Sequence, residues 1–137
     1  RTLQPCNNKA EVAVFRTDAL FSYHTLNAFE RDDCVVFDIL ASDRYIPLDL
    51  GLERHRRPNM GKLAIACVGD QVHPTRAVRL VMPLHNVTWD GQTVHELACR
   101  EVLYGAAGKP DGLEMPATNA LFLGRPYRYA YAVDMCR

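Results

Sequence analysis

The sequence lacks a charge of one sign: sixteen Lys and Arg residues offset sixteen Asp and Glu residues. No long-range field therefore draws it to nucleic acid or to an anionic bilayer. It also lacks long apolar runs. The longest stretches, such as Cys34–Phe37 and Ala64–Val68, fall far short of the roughly 20 residues that a membrane-spanning helix needs. No two of its five cysteines, Cys6, Cys34, Cys67, Cys99 and Cys136, stand at a CxxC spacing, and their number is odd. That pattern reads as reduced, mostly structural thiols of an intracellular, cytoplasmic protein. Asn86–Val87–Thr88 matches the glycosylation acceptor pattern, but so short a match is outweighed by the cysteines. GxSxG, P-loop, GxGxxG, HxxxH and HExxH patterns are all missing, which removes the local signatures of several hydrolases, nucleotide-binding proteins and zinc proteases. The chain opens on Arg1–Thr2 with neither an initiator Met nor a basic stretch leading into an apolar one, and so reads as an internal segment of something longer.

What is present is a chain of 137 residues, 48% of them apolar, enough for one domain with a real core. Alternating, β-branched and aromatic runs predict strands at Glu11–Arg16, Leu20–Phe29, Cys34–Ala41, Ala77–Pro83, Val94–Val102 and Tyr127–Val133. The charged stretch Phe29–Asp33 predicts a hairpin between the second and third strands. Trp89–Asp90–Gly91 predicts another turn, because Asp-Gly accepts positive φ angles. Pro47–Arg57 reads as a short helical or loop excursion ended by Pro58–Asn59–Met60–Gly61, and Gly105–Gly112 as a loop leading into Leu113–Pro116. There is no internal repeat. Short strands joined by tight turns predict an all-β, antiparallel architecture, with sandwich, barrel and propeller all open.

His24 lies inside the apolar run Phe21–Glu30. The residues alone favour a core histidine bonded to backbone carbonyls, since a metal site needs several ligands and a group to orient them. His55, His73, His85 and His95 form no local cluster and read as surface or turn histidines. Glu114 sits between Leu113 and Met115, and alternation leaves open whether it faces solvent or is partly buried. Asp18, Glu30 and Asp38 could in principle pair for acid/base work, but carboxylates at turns and strand ends are usually solvated.

Three stretches, taken in order, resemble one family. Phe21–Ser22–Tyr23–His24–Thr25–Leu26–Asn27–Ala28–Phe29–Glu30, followed by Cys34–Asp38, is similar to the carotenoid cleavage oxygenase pattern of aromatic, His, two residues, Asn-Ala-aromatic-Glu and an apolar strand ending in Asp. Ala77–Leu84 resembles that family's next strand, which carries an Arg and ends Leu-Pro-Leu. Leu113–Asn119 with Gly124–Tyr131 resembles its Glu-Phe-Pro, Asn and Gly-Lys/Arg-Pro-Tyr-Arg-Tyr segment.

The resemblance implies an internal segment, residues 1–137, of a single seven-bladed β-propeller domain whose axial Fe(2+) is held by four histidines. It implies that His24 is one metal ligand and that Glu114 accepts the other ring N–H of His24 and orients it. The other three ligands would lie outside these residues, and substrate-binding residues are unassigned. The implied function is a dioxygenase that cleaves a conjugated double bond of a carotenoid with dioxygen to give apocarotenoid or retinal aldehydes, the segment alone being inactive. A retinoid isomerohydrolase of the same family and a non-catalytic carotenoid-binding propeller are the alternatives. The implied partners are a carotenoid or retinoid and dioxygen, with peripheral membrane contact through parts outside this segment. Met115 departs from the common Phe beside the Glu, and Thr25 stands where many animal members carry a second His.

Overall fold

The computed structural model describes residues 12–43, 75–104 and 112–134. The Pro47–Arg57 excursion, His55, His73 and three cysteines, Cys6, Cys67 and Cys136, lie outside them. Among the described residues eight strands run in the order β1 (Val12–Arg16), β2 (Phe21–Arg31), β3 (Cys34–Ser42), β4 (Arg76–Pro83), β5 (Asp90–Glu96), β6 (Cys99–Tyr104), β7 (Leu113–Thr118) and β8 (Ala130–Asp134). A single 3-10 turn, Ala120–Phe122, is the other regular element among the described residues.

β2, β3, β4 and β6 form one antiparallel sheet in that order, the arrangement of a propeller blade. The expected β2–β3 hairpin is present and tight. Arg31 pairs with Cys34, leaving Asp32 and Asp33 as a two-residue turn at φ 52° and 57°. Two consecutive positive φ angles match the right-handed twist of the strands, and Asp is among the few side chains that tolerate them. β3 is the centre. Val36, Asp38, Ile39, Leu40, Ala41 and Ser42 are all buried, as expected of a strand covered on both faces.

Two layers account for that cover. Ile39, Ala41, Val78 and Leu80 cluster on one face, with Leu20, Phe37 and Leu97 packed against them. On the other, Leu26, Leu40 and Ala77 meet Leu113 of β7. The second face positions the candidate site.

Three expectations need correction. The strand expected at Val94–Val102 is two strands: β5 leaves the blade to pair in parallel with β1, and β6 returns to β4. The break falls at Leu97–Ala98, where the Ala98 N–H donates to Val81 O at 2.8 Å and Leu97 tucks against the core. Asp90–Gly91 does not close a hairpin but opens β5. Gly91 has φ 71°, and the Asp90 carboxylate accepts the N–H groups of Gln92 and Thr93 at 2.8 and 2.7 Å. Finally, Leu113–Thr118 is itself a strand, antiparallel to β8, which starts at Ala130 rather than Tyr127.

Candidate functional site

Simple alternation would put His24 and Asn27 on opposite faces of β2. The register corrects this: His24 pairs with Leu40, Thr25 with Ile39, and Asn27 with Asp38, so one extra residue, Leu26, bulges the strand. A bulge resets the parity of the strand. His24, Asn27 and Phe29 are consequently opposite Leu40, Asp38 and Val36, and all belong to the face that meets β7.

On that face His24 Nε2 lies 3.4 Å from Glu114 Oε2. The distance is longer than the 2.7–2.9 Å of a well-formed charge-assisted hydrogen bond, but it brings the two named residues together on one side of the sheet. Their side chains are 40% and 26% exposed, so the contact alone contributes little stability. Burial pushes the Glu114 carboxyl above its ordinary range, opposed by the nearby His24 and by the Met115 N–H. The chain bends just after this carboxylate. Met115 sits at φ 53°, and between Glu114 and Ala117 the β7–β8 register slips, with Met115 left 69% exposed. Glu114 is thus neither core nor plain solvent face; the irregular backbone turns it toward His24.

A second cluster lies farther along the same face. Arg79 donates Nε and Nη2 to the two oxygens of Asp38 at 2.8 Å each, and the Tyr127 hydroxyl donates to Asp38 Oδ2 at 2.6 Å. Asp38 is fully buried. Arg79 also stands 5.9 Å over the Phe29 ring, which meets Tyr127 edge-on. Desolvation, then the Asp38 hydrogen bond, raises the Tyr127 pKa well above its usual value, and the Asp38 bond raises that of Arg79. Asn27 works equally hard. Its amide donates to Phe122 O and Arg125 O at 2.9 and 3.1 Å and accepts from the Ala28 and Gly124 N–H groups at 2.9 and 3.0 Å.

Sequence reasoning missed this cluster, treating Asp38 as one more solvated carboxylate. The available signal was charge placement: a lone acid and a lone base stand inside two neighbouring apolar strands, where each requires a partner. Asp18 is exposed and paired with Arg100 at 3.2 Å, and Glu30 is exposed. His85 lies 3.9 Å from Asp33 at the surface, and His95 accepts the Thr88 N–H at 3.1 Å, so neither joins His24. Cys34 and Cys99 are free thiols.

Among the described residues no three His, Cys, Asp or Glu side chains gather into a metal site. What these residues fit is one arm of such a site: an accessible imidazole with one nitrogen turned to a carboxylate. A separate open groove of about 470 Å³ runs between β2 and the Pro116–Gly124 stretch, and neither His24 nor Glu114 lines it.

Residues 3–137 match the family described as RPE65, retinal pigment epithelial membrane protein. The chain belongs to this family. It is similar to beta,beta-carotene 15,15'-dioxygenase of Mus musculus and of Homo sapiens, 28% identical to each, over 98% of this chain but only 24% and 25% of theirs. The chain thus spans about a quarter of the length of the curated relatives it matches. Among solved structures it resembles a Synechocystis apocarotenoid oxygenase mutant, with a TM-score of 0.51 and 20% identity over 82% of this chain and 18% of that one. An apocarotenoid oxygenase/RPE65 chimera covers the same shares at 20% identity and a TM-score of 0.50. The fold is therefore all-β and part of a β-propeller, with β2–β3–β4–β6 as a blade.

Proposed function

We propose that this chain forms part of an iron-dependent carotenoid dioxygenase, which cleaves a conjugated double bond of a carotenoid with dioxygen to give apocarotenoid or retinal aldehydes. Family membership and the carotene dioxygenases among the relatives support this reading. The single observation that carries it is the approach of His24 Nε2 to Glu114 Oε2, two residues distant in sequence and brought to 3.4 Å by a bulge in each strand.

In this reading His24 is one ligand of Fe(2+), and Glu114 takes the N–H of the ring nitrogen that faces it. The carboxylate fixes the tautomer and raises the basicity of the nitrogen left for the metal. Ferrous iron, when bound, supplies Lewis acidity and open coordination positions for dioxygen. Residues 1–137 are an internal segment of a single propeller domain. The other three ligand histidines belong outside it, and the segment alone is inactive. The complete protein is cytoplasmic, meeting its apolar substrate at membranes through parts outside this chain. Among the described residues no helix is long and apolar enough to cross a membrane.

The test uses the complete protein. His24→Ala should lower iron content and aldehyde formation together, and retention of both would remove His24 from the ligand set. The same product assay separates this reading from a retinoid isomerohydrolase of the same family. Ester cleavage with isomerisation consumes no dioxygen and yields no pair of aldehydes.

A further inference from the structure

The Glu114 carboxylate cannot be held in place by the β7–β8 ladder alone. The ladder is interrupted immediately after it, at Met115 and Pro116, where the register with β8 slips and Met115 adopts φ 53°. An interrupted ladder leaves the local backbone free to bend unless something else pins it. Two pins are present. On the near side Thr75, 5% exposed, donates its hydroxyl to Leu113 O at 2.6 Å, while its own carbonyl accepts the Leu113 N–H at 3.4 Å. On the far side of the bulge the Thr118 hydroxyl donates to Leu26 O of β2 at 3.2 Å.

We infer that Thr75 is a positioning residue for the metal-binding imidazole, acting through Leu113 and Glu114 on His24. The inference rests on the reading of His24 as an iron ligand. Its chemical logic is short-range. Leu113 is the residue before Glu114, so a bond to its carbonyl fixes the peptide plane from which the glutamate side chain starts. Leu113 is also 8% exposed and packed with Leu26, Leu40 and Ala77, so its side chain anchors the same point to the sheet that carries His24. A buried hydroxyl at this position would otherwise carry a desolvation penalty with no compensating gain.

The experiment compares Thr75→Val, which keeps the shape and removes the hydroxyl, with Thr75→Ser, which keeps the hydroxyl, in the complete protein loaded with ferrous iron. The readouts are the rate of iron loss to a chelator, kcat and KM separately, and Tm. Groups that directly orient a metal ligand typically change metal affinity about 10–100-fold, and a residue one step further out should give a smaller effect. Thr75→Val should release iron about fivefold faster and lower kcat with KM unchanged, while Thr75→Ser stays within about twofold of the unaltered protein on the same scale. Iron release at the unaltered rate in Thr75→Val, with only Tm reduced, overturns the inference by showing a purely structural role. Should Thr75→Val not fold, Thr75→Ala, which also removes the hydroxyl to Leu113 O, takes its place with the same expected and overturning outcomes. His24→Ala keeps the two claims apart. If it retains iron, the ligand reading fails; if it loses iron while Thr75→Val behaves as unaltered, only the positioning role fails.

Discussion

At the residue scale the largest energetic commitment is a carboxylate with no access to solvent. Asp38 is buried completely, and its charge is met by a two-pronged Arg79 and by the Tyr127 hydroxyl. A buried ion pair gains little over an apolar substitute, but removing one member strands the other. Arg79→Met should therefore cost about 3–5 kcal/mol in urea unfolding, and Tyr127→Phe, which removes one hydrogen bond to a charged group, about 1.5–3 kcal/mol. Losses below about 0.5 kcal/mol in both would mean that the cluster is solvated in solution. The residue types of this cluster were legible in the sequence but their partnerships were not, whereas the pairing of His24 with Glu114 was what the family resemblance implied. Asp38, Arg79 and Tyr127 come from three separated stretches, the same three that carried the family resemblance, and only folding reveals that they share one hydrogen-bonded centre.

At the scale of the element, hairpins were legible where turn chemistry is local, and strand parity was not. Asp32–Asp33 could be anticipated from charge between two apolar runs. The bulges at Leu26 and at Met115–Pro116 could not, because an inserted residue leaves no mark in an alternation pattern. Those two bulges decide which side chains reach the site. Asp90 shows the same limit from another direction: its turn chemistry was visible, yet it caps the entry to β5 instead of closing a hairpin. Three hydrogen bonds, from the Thr93 N–H, the Gln92 N–H and the Thr93 hydroxyl, lower its pKa from 3.8 to about 2. A carboxyl whose folded pKa is depressed stabilises the fold above its unfolded value and loses that contribution as pH falls through the folded one. Stability measured between about pH 4 and pH 2 should thus fall less steeply in Asp90→Asn than in the unaltered protein. Parallel curves would place the carboxylate in solvent without its three donors.

At the scale of the whole molecule, the described sheets differ in how much they can support on their own. The four-stranded sheet has a covered central strand and two apolar layers. The β7–β8 pair has only two strands, and two-stranded sheets are marginal in water without a covering layer. Around it Leu121, Leu123, Tyr129, Tyr131 and Val133 are each more than half exposed. Large apolar side chains so concentrated are what a surface shows when its natural cover is another part of the protein, as in a propeller whose blades stack on each other. Expressed by itself, the 137-residue chain should then bind an apolar dye and exchange the amide protons of β7 and β8 far faster than those of β3 and β4. It should also be indifferent to ferrous iron. A ligand raises Tm only in proportion to its affinity for the folded state, and one imidazole with an orienting carboxylate provides too few donors for measurable occupancy. A sharp cooperative transition that moves upward with added iron would show that these residues build a complete site by themselves, and would displace the reading of His24 as a single arm of a larger centre.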